Sequence, residues 1–558
     1  MTLNRRVVSV ICALCALFGV RGASADALDD ILALIPHDAT RAVAVPSLQR
    51  ITSDLDECIA RMDRKETLVA GRSIDHLRRV LELREGFDER GSVAAWTSAG
   101  ATVVLLPSDN PTAFITTTLA PGADGVGSFH QQRVYSKALA QHVLISTSKE
   151  AIDGYKLPGS DSIGLGDSLA KRLGERGMQL ARAGDLIAWA RGPFPLPDDA
   201  VVMGSARAAQ LLQGVADALV VVDADVLGLS LRAYAVYALQ SEIALLAAET
   251  TPLEGDGGAM VAGLPKASFY LAAAVDAKSL GGAGKIDALA AALGVTEFVP
   301  SWFAQVRDGM KSVRLAAYPS KLGLLAGGVL NDSAFLIETS QPMAIRDLFK
   351  SSLLLQAGNS GGVRREPAWE DGRTLKDGTV VDAFELKETP LGPSEAPGED
   401  LSGVAMQQLM RQAFFGGRGM HGFVKVLPDA VVVTFSQRPD VLARALAAAT
   451  GGESLKDESV LVSMRPWLVP GAQCELFVSA GQILKVVRQL ASTFGGGSMP
   501  LPTIAAKSAP VAFALRVDPR ACELGVMIPT ATLSAAYEQV VGALLGDWSD
   551  MKIEPAAE

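Results

Sequence analysis

Residues 35–45 read IPHDATRAVAV, and residues 264–274 read LPKASFYLAAA. Each stretch begins with an aliphatic residue and a proline, continues through small or polar residues, and ends in an apolar run typical of a short β-strand. The offset between them is 229 residues, 264 against 35. Because similar stretches in a conserved order indicate a duplicated architecture, this pair sets the interpretation of the whole chain.

Further matches follow in the same order but at a larger offset. Residues 143–148 (VLISTS) resemble residues 431–436 (VVVTFS), and residues 186–191 (LIAWAR) resemble residues 474–479 (CELFVS), both at an offset of 288. The increase from 229 to 288 predicts an insertion of about 60 residues in the second copy. The segment 358–417 is its natural place, since residues 392–400 are rich in proline, glycine and acids and are typical of an unpacked loop.

These matches predict the domain organisation. Residues 26–252 form a first α+β half, and residues 264–550 form a second α+β half with an inserted hairpin and a flexible loop within 358–417. The acidic, glycine-rich residues 253–263 form an exposed connection, and residues 551–558 form a C-terminal tail.

Local patterns mix helices with short strands. Apolar residues recur at helical spacing after Ser47, after Ser73, between residues 340 and 356, and between residues 481 and 494. Turn residues separate pairs of strands at Asp223-Ala-Asp225 and at Asp518-Pro-Arg520, which predicts antiparallel hairpins. The predicted fold class is therefore α+β, with two similar halves whose antiparallel or mixed sheets pack against amphipathic helices.

The N-terminus has the pattern of an export signal. Arg5 and Arg6 precede the apolar run Val7–Val20, and Ala23-Ser24-Ala25 follows as a cleavage motif. The run is shorter than the about 20 residues that a membrane-spanning helix needs. We therefore expect residues 1–25 to be a signal peptide cleaved after Ala25, no membrane span thereafter, and a location in the periplasm or outside the cell.

Charge and cysteine content exclude some classes of protein. The chain of 558 residues has 51 basic and 61 acidic residues, and removal of three leader arginines leaves 48 against 61, a net charge of −13. Such a surface repels nucleic acid, so we expect no nucleic-acid partner. Three cysteines remain after cleavage, Cys58, Cys474 and Cys522. A single disulfide between Cys474 and Cys522 is chemically allowed outside the cytoplasm, with buried reduced thiols as the alternative.

The sharpest catalytic motif is Gly358-Asn-Ser360-Gly-Gly362, which fits the spacing of a serine nucleophile. His142 is the candidate base. However, the motif follows a predicted helix rather than a strand, and His142 belongs to the other half of the chain. A helix end followed by a flexible loop is the simpler interpretation, so we predict no catalytic residues.

Cofactor and metal motifs are incomplete. Gly281-Gly-Ala-Gly284-Lys285 resembles a phosphate loop, but Ile286 stands where such a loop needs Ser or Thr. The five histidines show no ligand spacing, and Asp223 with Asp225 is typical of a turn. We therefore predict no cofactor and no metal.

The duplicated "aliphatic-Pro, then strand" opening and the "strand-Ser-x-helix" unit resemble uncharacterised secreted bacterial proteins grouped as a domain of unknown function, with duplicated α+β halves. The resemblance implies an export signal and no particular activity. We expect a non-catalytic protein that binds an unknown protein or an envelope component, or that is a structural element of the envelope. The alternative is an exported hydrolase whose site is assembled from distant residues.

Overall fold

The computed structural model describes residues 25–61, 73–122, 125–130, 132–157, 164–194, 213–282, 309–321, 323, 327–360, 363–391, 416, 419–436, 438–493, 504–505 and 507–536. The chain divides into two compact units. Unit 1 comprises Met1–Ala200, Ala209–Leu245 and Arg520–Thr530, and unit 2 comprises Val201–Ala208, Leu246–Pro519 and Ala531–Glu558. A segment near the C-terminus thus belongs to the first unit, whereas residues 264–550 form one half in the predicted organisation.

Unit 1 contains an antiparallel sheet in the order β4-β5-β6-β3-β2-β1-β7-β8-β9-β20. β20 pairs with β9 along its whole length, from Ala521 opposite Val236 to Pro529 opposite Gly228. The strands are β1 Arg41–Val45, β2 Val93–Ser98, β3 Ala101–Pro107, β4 Gly127–Phe129, β5 Gln132–Ala138, β6 His142–Ser146, β7 Leu186–Arg191, β8 Val215–Asp225, β9 Gly228–Tyr237 and β20 Ala521–Pro529.

Helices cover both faces of this sheet. Alternate residues of each strand point to opposite sides, so each strand contributes side chains to two cores. On β1, Ala42 and Ala44 belong to a core with α1, α5 and α6, whereas Val43 and Val45 belong to a core with α2, α3 and α4. The helices are α1 Ala25–Ala33, α2 Leu48–Arg61, α3 Ser73–Val80, α4 Pro111–Phe114, α5 Lys149–Gly154, α6 Leu165–Ala183 and α7 Glu242–Ala247.

In unit 2 the strands are also antiparallel, in the order β13-β14-β15-β16-β17-β12-β11-β10-β18-β19. The longest pairing is the hairpin of β14 and β15, which lies inside the segment where the insertion was predicted. The strands are β10 Leu271–Asp276, β11 Met310–Ala317, β12 Ser333–Thr339, β13 Gly358–Ser360, β14 Val363–Thr374, β15 Val380–Pro390, β16 Met420–Val426, β17 Ala430–Phe435, β18 Cys474–Val478 and β19 Val511–Val517.

A helix of unit 2 begins at Pro342, within residues 340–356, where helical spacing was found in the sequence. Pro342 stands in its first turn, where a missing N–H costs nothing, and its Ile345 and Leu353 pack into a core with β12, β15, β16 and β17. The helices of unit 2 are α8 Pro342–Leu354, α9 Pro439–Ala449, α10 Ser459–Met464 and α11 Ala480–Thr493. The mixture of helices with a large antiparallel sheet confirms the α+β class.

Two local predictions were wrong. The turn predicted at Asp223-Ala-Asp225 lies at residues 226–227, because β8 continues through Asp225, whose Oδ1 accepts a hydrogen bond from the Leu227 N–H at 2.6 Å. Residues 358–360 form strand β13, opposite Val363–Arg365, rather than a helix end and loop. In both places the residues belong to a β-strand, and the local sequence does not reveal the strand with which it pairs.

The predicted exposed connection at residues 253–263 is instead partly buried and held in place within unit 2. Both oxygens of Glu475 on β18 accept backbone hydrogen bonds, from Gly258 N at 2.5 Å and from Met260 N at 3.2 Å. Leu253 N also donates to Gly471 O at 3.2 Å. The glycine content therefore serves close packing here, since a Cβ on Gly257 would lie 2.2 Å from the Leu468 Cβ.

Candidate functional site

A layer of ion pairs lies under helix α6 in unit 1. Arg172 and Arg176 lie on either side of Gly174, where the backbone of α6 departs from helical geometry with a φ of 68°. Arg176 donates to Glu523 Oε2 on β20 from Nε at 3.0 Å and from Nη2 at 2.7 Å, and Glu523 is buried. Arg172 Nη1 lies 3.4 Å from Asp217 Oδ1 on β8.

Each buried acid has a second partner from the sheet. Arg232 on β9 lies 3.9 Å from Glu523 Oε1, and Trp189 on β7 donates to Asp217 Oδ1 at 3.2 Å. Burial raises the pKa of Asp217 although Arg172 opposes the shift, and burial lowers the pKa of Arg232. These acids are held by partners from α6, β7 and β9, an arrangement that stabilises the packing of α6 on the sheet.

Asp223, singled out in the sequence, lies at the end of β8 beside a further ion pair. Arg50 Nη2 lies 2.7 Å from Asp185 Oδ1. Burial raises the pKa of Asp223 to about 7, against the opposing charges of Arg232 and Arg50. A buried carboxyl with a pKa near neutrality is a common feature of functional sites. Within the described ranges, no cluster of three His, Cys, Asp or Glu side chains is suited to hold a metal ion.

The serine motif and its candidate base lie in different units. Ser360 ends β13 in unit 2, and the glycines after it lie outside the described residues. His142 begins β6 in unit 1, where its Nε2 lies 3.4 Å from the Ser92 Oγ. Burial lowers the pKa of His142.

The cysteines are reduced thiols in the structure. Cys58 is buried on α2, Cys474 lies on β18 in unit 2, and Cys522 lies on β20 in unit 1. Burial raises the pKa of the Cys474 thiol to about 12, which disfavours the reactive thiolate. The disulfide between Cys474 and Cys522 stays a prediction.

Two other sequence predictions lie partly outside the described residues. The predicted cleavage site at Ala25 lies at the start of α1, and residues 1–24 are not described. The end of the phosphate-loop motif, Ala283–Lys285, is not described either.

An apolar strip on β9 and β20 is the most unusual surface of unit 1. It consists of the alternate residues Leu229, Leu231, Ala233 and Ala235 on β9 and Cys522, Leu524, Val526 and Ile528 on β20. All eight are at least partly exposed, Leu231 by 36% and Leu524 by 41%. The strip has no charged side chain, although the opposite face of the same strands has Arg232 and Glu523.

The strip continues an apolar face of the sheet that helices α2 and α3 cover on the neighbouring strands. Leu229 packs at the margin of the core formed with α2 and α3, together with Val220 on the neighbouring strand β8. Towards β20 the apolar side chains become exposed. Sequence reasoning missed this surface because its two strands are almost 300 residues apart in the chain. Apolar alternation within residues 229–235 and 522–528 was visible, but it does not identify the partner strand.

Comparisons with known proteins give no family for the chain. No family model matches it, and no curated protein matches it. Two crystal forms of TP0453, forms I and IV, have 9% and 10% identity and TM-scores of 0.19 and 0.20, over 37% of this chain and 78% and 79% of theirs. Similarity at this level does not identify a fold or a function. No helix in the described part of the chain is long and apolar enough to cross a membrane.

Proposed function

We propose that this chain is an exported, non-catalytic binding protein built from two similar α+β halves, and that it binds an amphipathic helix of a partner protein in the cell envelope. The apolar strip on β9 and β20 carries the proposal, because an uncharged and part-exposed sheet face recognises its partner by apolar burial. The sequence pattern of residues 1–25 supports export.

The order of the strands supports two similar halves. Reading across unit 1 gives β4-β5-β6-β3-β2-β1-β7-β8, and reading across unit 2 gives β15-β16-β17-β12-β11-β10-β18-β19. Each strand of the first series occupies the place of its counterpart in the second, and the two proline-led stretches, residues 35–45 and 264–274, lead into β1 and β10.

Equivalent backbone contacts further support the duplication. Leu165 N donates to Ile35 O at 2.9 Å in unit 1, and Leu455 N donates to Leu264 O at 2.8 Å in unit 2. After β6, Ser148 N donates to the Ser146 Oγ at 3.2 Å, and after β17 Arg438 N donates to the Ser436 Oγ at 3.1 Å, so these contacts pair Ser436 with Ser146 rather than with Ser148, its match at an offset of 288. This explains the "strand-Ser-x-helix" unit, since the serine accepts from the backbone just before the helix.

The shape of the strip favours a helix as its partner. Alternate residues of a strand are about 7 Å apart and adjacent strands about 5 Å, so the strip is about 20 Å long and about 10 Å wide with its side chains. An α-helix is about 10 Å across, and about 13 residues span 20 Å. Helices α2 and α3 already cover the adjoining part of the same face, so a partner helix on the strip extends an existing layer.

Binding of a labelled probe peptide tests the partner. The probe is a synthetic amphipathic leucine–lysine helix of about 18 residues, whose basic face suits an acidic protein. Burial of one part-exposed leucine is worth about 1–2 kcal/mol, so we expect Leu231→Gln with Leu524→Gln to weaken binding at least about tenfold. Leu239→Gln is the matched control, since Leu239 is 94% exposed and lies in the turn after β9.

Two results would overturn the proposed partner. One is equal weakening by the control and by the double variant, which would indicate non-specific binding. The other is binding of a labelled fatty acid that the double variant abolishes while the peptide does not bind, which would identify an acyl chain as the occupant. N-terminal sequencing of the native protein tests export separately, and a mature chain that begins at Asp26 is the expected result.

A further inference from the structure

His142 and Ser92 form a pair in unit 1 that is separate from the serine motif at Ser360. The Ser92 Oγ lies 3.4 Å from the His142 Nε2, and both side chains are half-buried. A hydroxyl within hydrogen-bond reach of an imidazole is the arrangement that activates a serine nucleophile. The neighbouring residues Arg90 and Gln141 are exposed, so the pair lies within reach of a solute.

Three strands bring the two side chains to one side of the sheet. Pro107 at the end of β3 pairs with His142 at the start of β6, and β2, on the other side of β3, begins just after Ser92. Because side chains alternate along a strand, Ser92 points to the same side as Ala94, and His142 points to the same side as Leu144. Both Ala94 and Leu144 belong to the core with α1, α5 and α6.

A glycine allows the loop before β2 to place Ser92 beside the histidine. A Cβ on Gly91 would lie 2.3 Å from the Pro107 Cβ and 3.3 Å from the Asp88 Oδ2, so a larger residue would push the loop away from β3. Two backbone hydrogen bonds hold the loop in place. Asp88 N donates to Pro107 O at 3.2 Å, and Leu48 N donates to Gly91 O at 3.0 Å. The packing of the backbone therefore positions the serine.

The surroundings favour the neutral imidazole, which is the form that accepts a proton. Burial lowers the pKa of His142, against the charge of Asp88 and a backbone hydrogen bond at Ser92. Within the described residues no carboxylate hydrogen-bonds this ring, whereas a hydrolytic triad has one that orients its histidine. Such a pair suits the transfer of one acyl group, because repeated turnover needs the imidazole to be oriented again towards a water molecule.

We propose that Ser92 is an acyl-acceptor site, at which an activated ester transfers its acyl group to the serine with His142 as the base. The Ser92 Oγ forms a bond to the carbonyl carbon while the His142 Nε2 takes the hydroxyl proton. The bond from that carbon to the leaving oxygen then breaks, and the leaving group takes the proton from the imidazole.

The acyl group stays on the chain, so the site adds a covalent modification to the proposed binding function and does not make the chain an enzyme. The apolar strip on β9 and β20 contains none of the residues of this site. Either proposal can therefore fail without the other.

Acetylation by p-nitrophenyl acetate tests the site in the full chain. Peptide mass spectrometry measures the acetylation rate of each serine, and absorbance follows the release of nitrophenolate. We expect Ser92 to react at least about tenfold faster than Ser98, and His142→Gln to slow the reaction at Ser92 by about the same factor or more, since a positioned base contributes about 10²–10⁴-fold. Ser92→Ala should abolish the fast phase of nitrophenolate release.

Ser98 is the matched control. It ends β2, and its Oγ donates to Asp38 Oδ2 at 2.6 Å rather than to a histidine. Ser98→Ala should leave the Ser92 rate unchanged. Equal rates at the two serines of the wild type would overturn the proposal. Continuous release of nitrophenolate that Ser92→Ala abolishes would overturn the single transfer.

The wild-type chain provides a second measurement in case His142→Gln does not fold. A Ser92 rate that becomes constant once the imidazole is neutral supports His142 as the base. A rate that rises about tenfold with every pH unit, as expected when hydroxide alone removes the proton, overturns it. A wild-type Ser92 rate in a folded His142→Gln variant would overturn it as well.

Discussion

At the scale of single residues, the buried acid Glu523 depends on arginines from two other elements. Its side chain is 1% exposed and receives two hydrogen bonds from Arg176, while Arg232 lies 3.9 Å away. Removal of one partner from a buried ion pair costs about 3–5 kcal/mol, because the other charge stays buried without compensation. We expect Glu523→Ala to lower the free energy of unfolding in urea by about that amount.

The control for this prediction is an exposed ion pair of the same unit. Arg182 Nη2 lies 3.1 Å from Asp29 Oδ2, and both side chains are more than two-fifths exposed. Exposed pairs contribute at most about 1 kcal/mol, so Asp29→Ala should have a small effect. Equal losses for the two variants would contradict the stabilising role of the layer under α6.

Glu475 gives the fold a pH dependence of defined sign. Burial raises its pKa to about 7 from an ordinary value of 4.5, although Gly258 and Met260 donate to the carboxylate. Between these values the folded chain retains a proton that the unfolded chain has lost, so stability decreases as the pH rises from 4.5 through 7. The full effect is about 3 kcal/mol at 1.36 kcal/mol per pH unit.

Urea unfolding at pH 5 and pH 8 tests this sign. We expect a lower midpoint at pH 8 in the wild type and a smaller difference in Glu475→Gln. Asp223 titrates near the same pH, also because of burial, so Asp223→Asn added to Glu475→Gln should reduce the difference further. A wild-type protein that is more stable at pH 8 would show that other groups dominate.

At the scale of elements, amphipathic helices could be predicted and strand partners could not. The helix after Ser47 was predicted because its apolar spacing is local, and the Ser47 Oγ accepts from Arg50 N at 3.3 Å as a cap. Asp225 misled the turn prediction because its carboxylate shapes the turn from within the strand. The hairpin β14–β15 lies within the segment 358–417 that the change in offset singled out, but its contacts with α8 could not be predicted.

Those contacts make Arg346 the anchor of the hairpin. Its Nε donates to Asp382 Oδ2 on β15 at 2.7 Å, its guanidinium lies 5.5 Å from the centre of the Trp369 ring on β14, and it also pairs with Asp371. We expect Arg346→Ala to lower the unfolding free energy by about 1–3 kcal/mol. Arg346→Lys should restore little, because an ammonium group cannot donate as a planar fork.

Limited proteolysis provides a local readout of the same variant. Lys376 is exposed near the tip of the hairpin, so a loosened hairpin should be cut there faster by trypsin. Arg373→Ala is the control, because Arg373 is 50% exposed and its nearest partner, Glu370, is 61% exposed. Faster cleavage in the control than in Arg346→Ala would exclude the proposed anchor.

At the scale of the whole molecule, a strand near the C-terminus, β20, belongs to unit 1, although most of the chain just before it belongs to unit 2. The sequence gives no sign of this. The α+β class could be predicted because it depends on alternation and spacing along the chain. The place of Ala521–Pro529 could not, because β20 could satisfy its backbone hydrogen bonds on any antiparallel edge. In the structure it pairs with β9 and so supplies unit 1 with Glu523 and with half of the apolar strip.

Because β20 belongs to unit 1, we expect this C-terminal strand to stabilise the N-terminal part of the chain. A chain that stops after Pro519 loses β20, which leaves Arg176 and Arg232 without the Glu523 carboxylate. It also removes Thr530, whose Oγ1 lies 4.0 Å from the Cys58 Sγ. We expect Cys58 labelling by iodoacetamide to become at least about tenfold faster. A chain that stops after Ala536 keeps β20 and should label at the wild-type rate; if both truncated chains label alike, β20 does not stabilise unit 1.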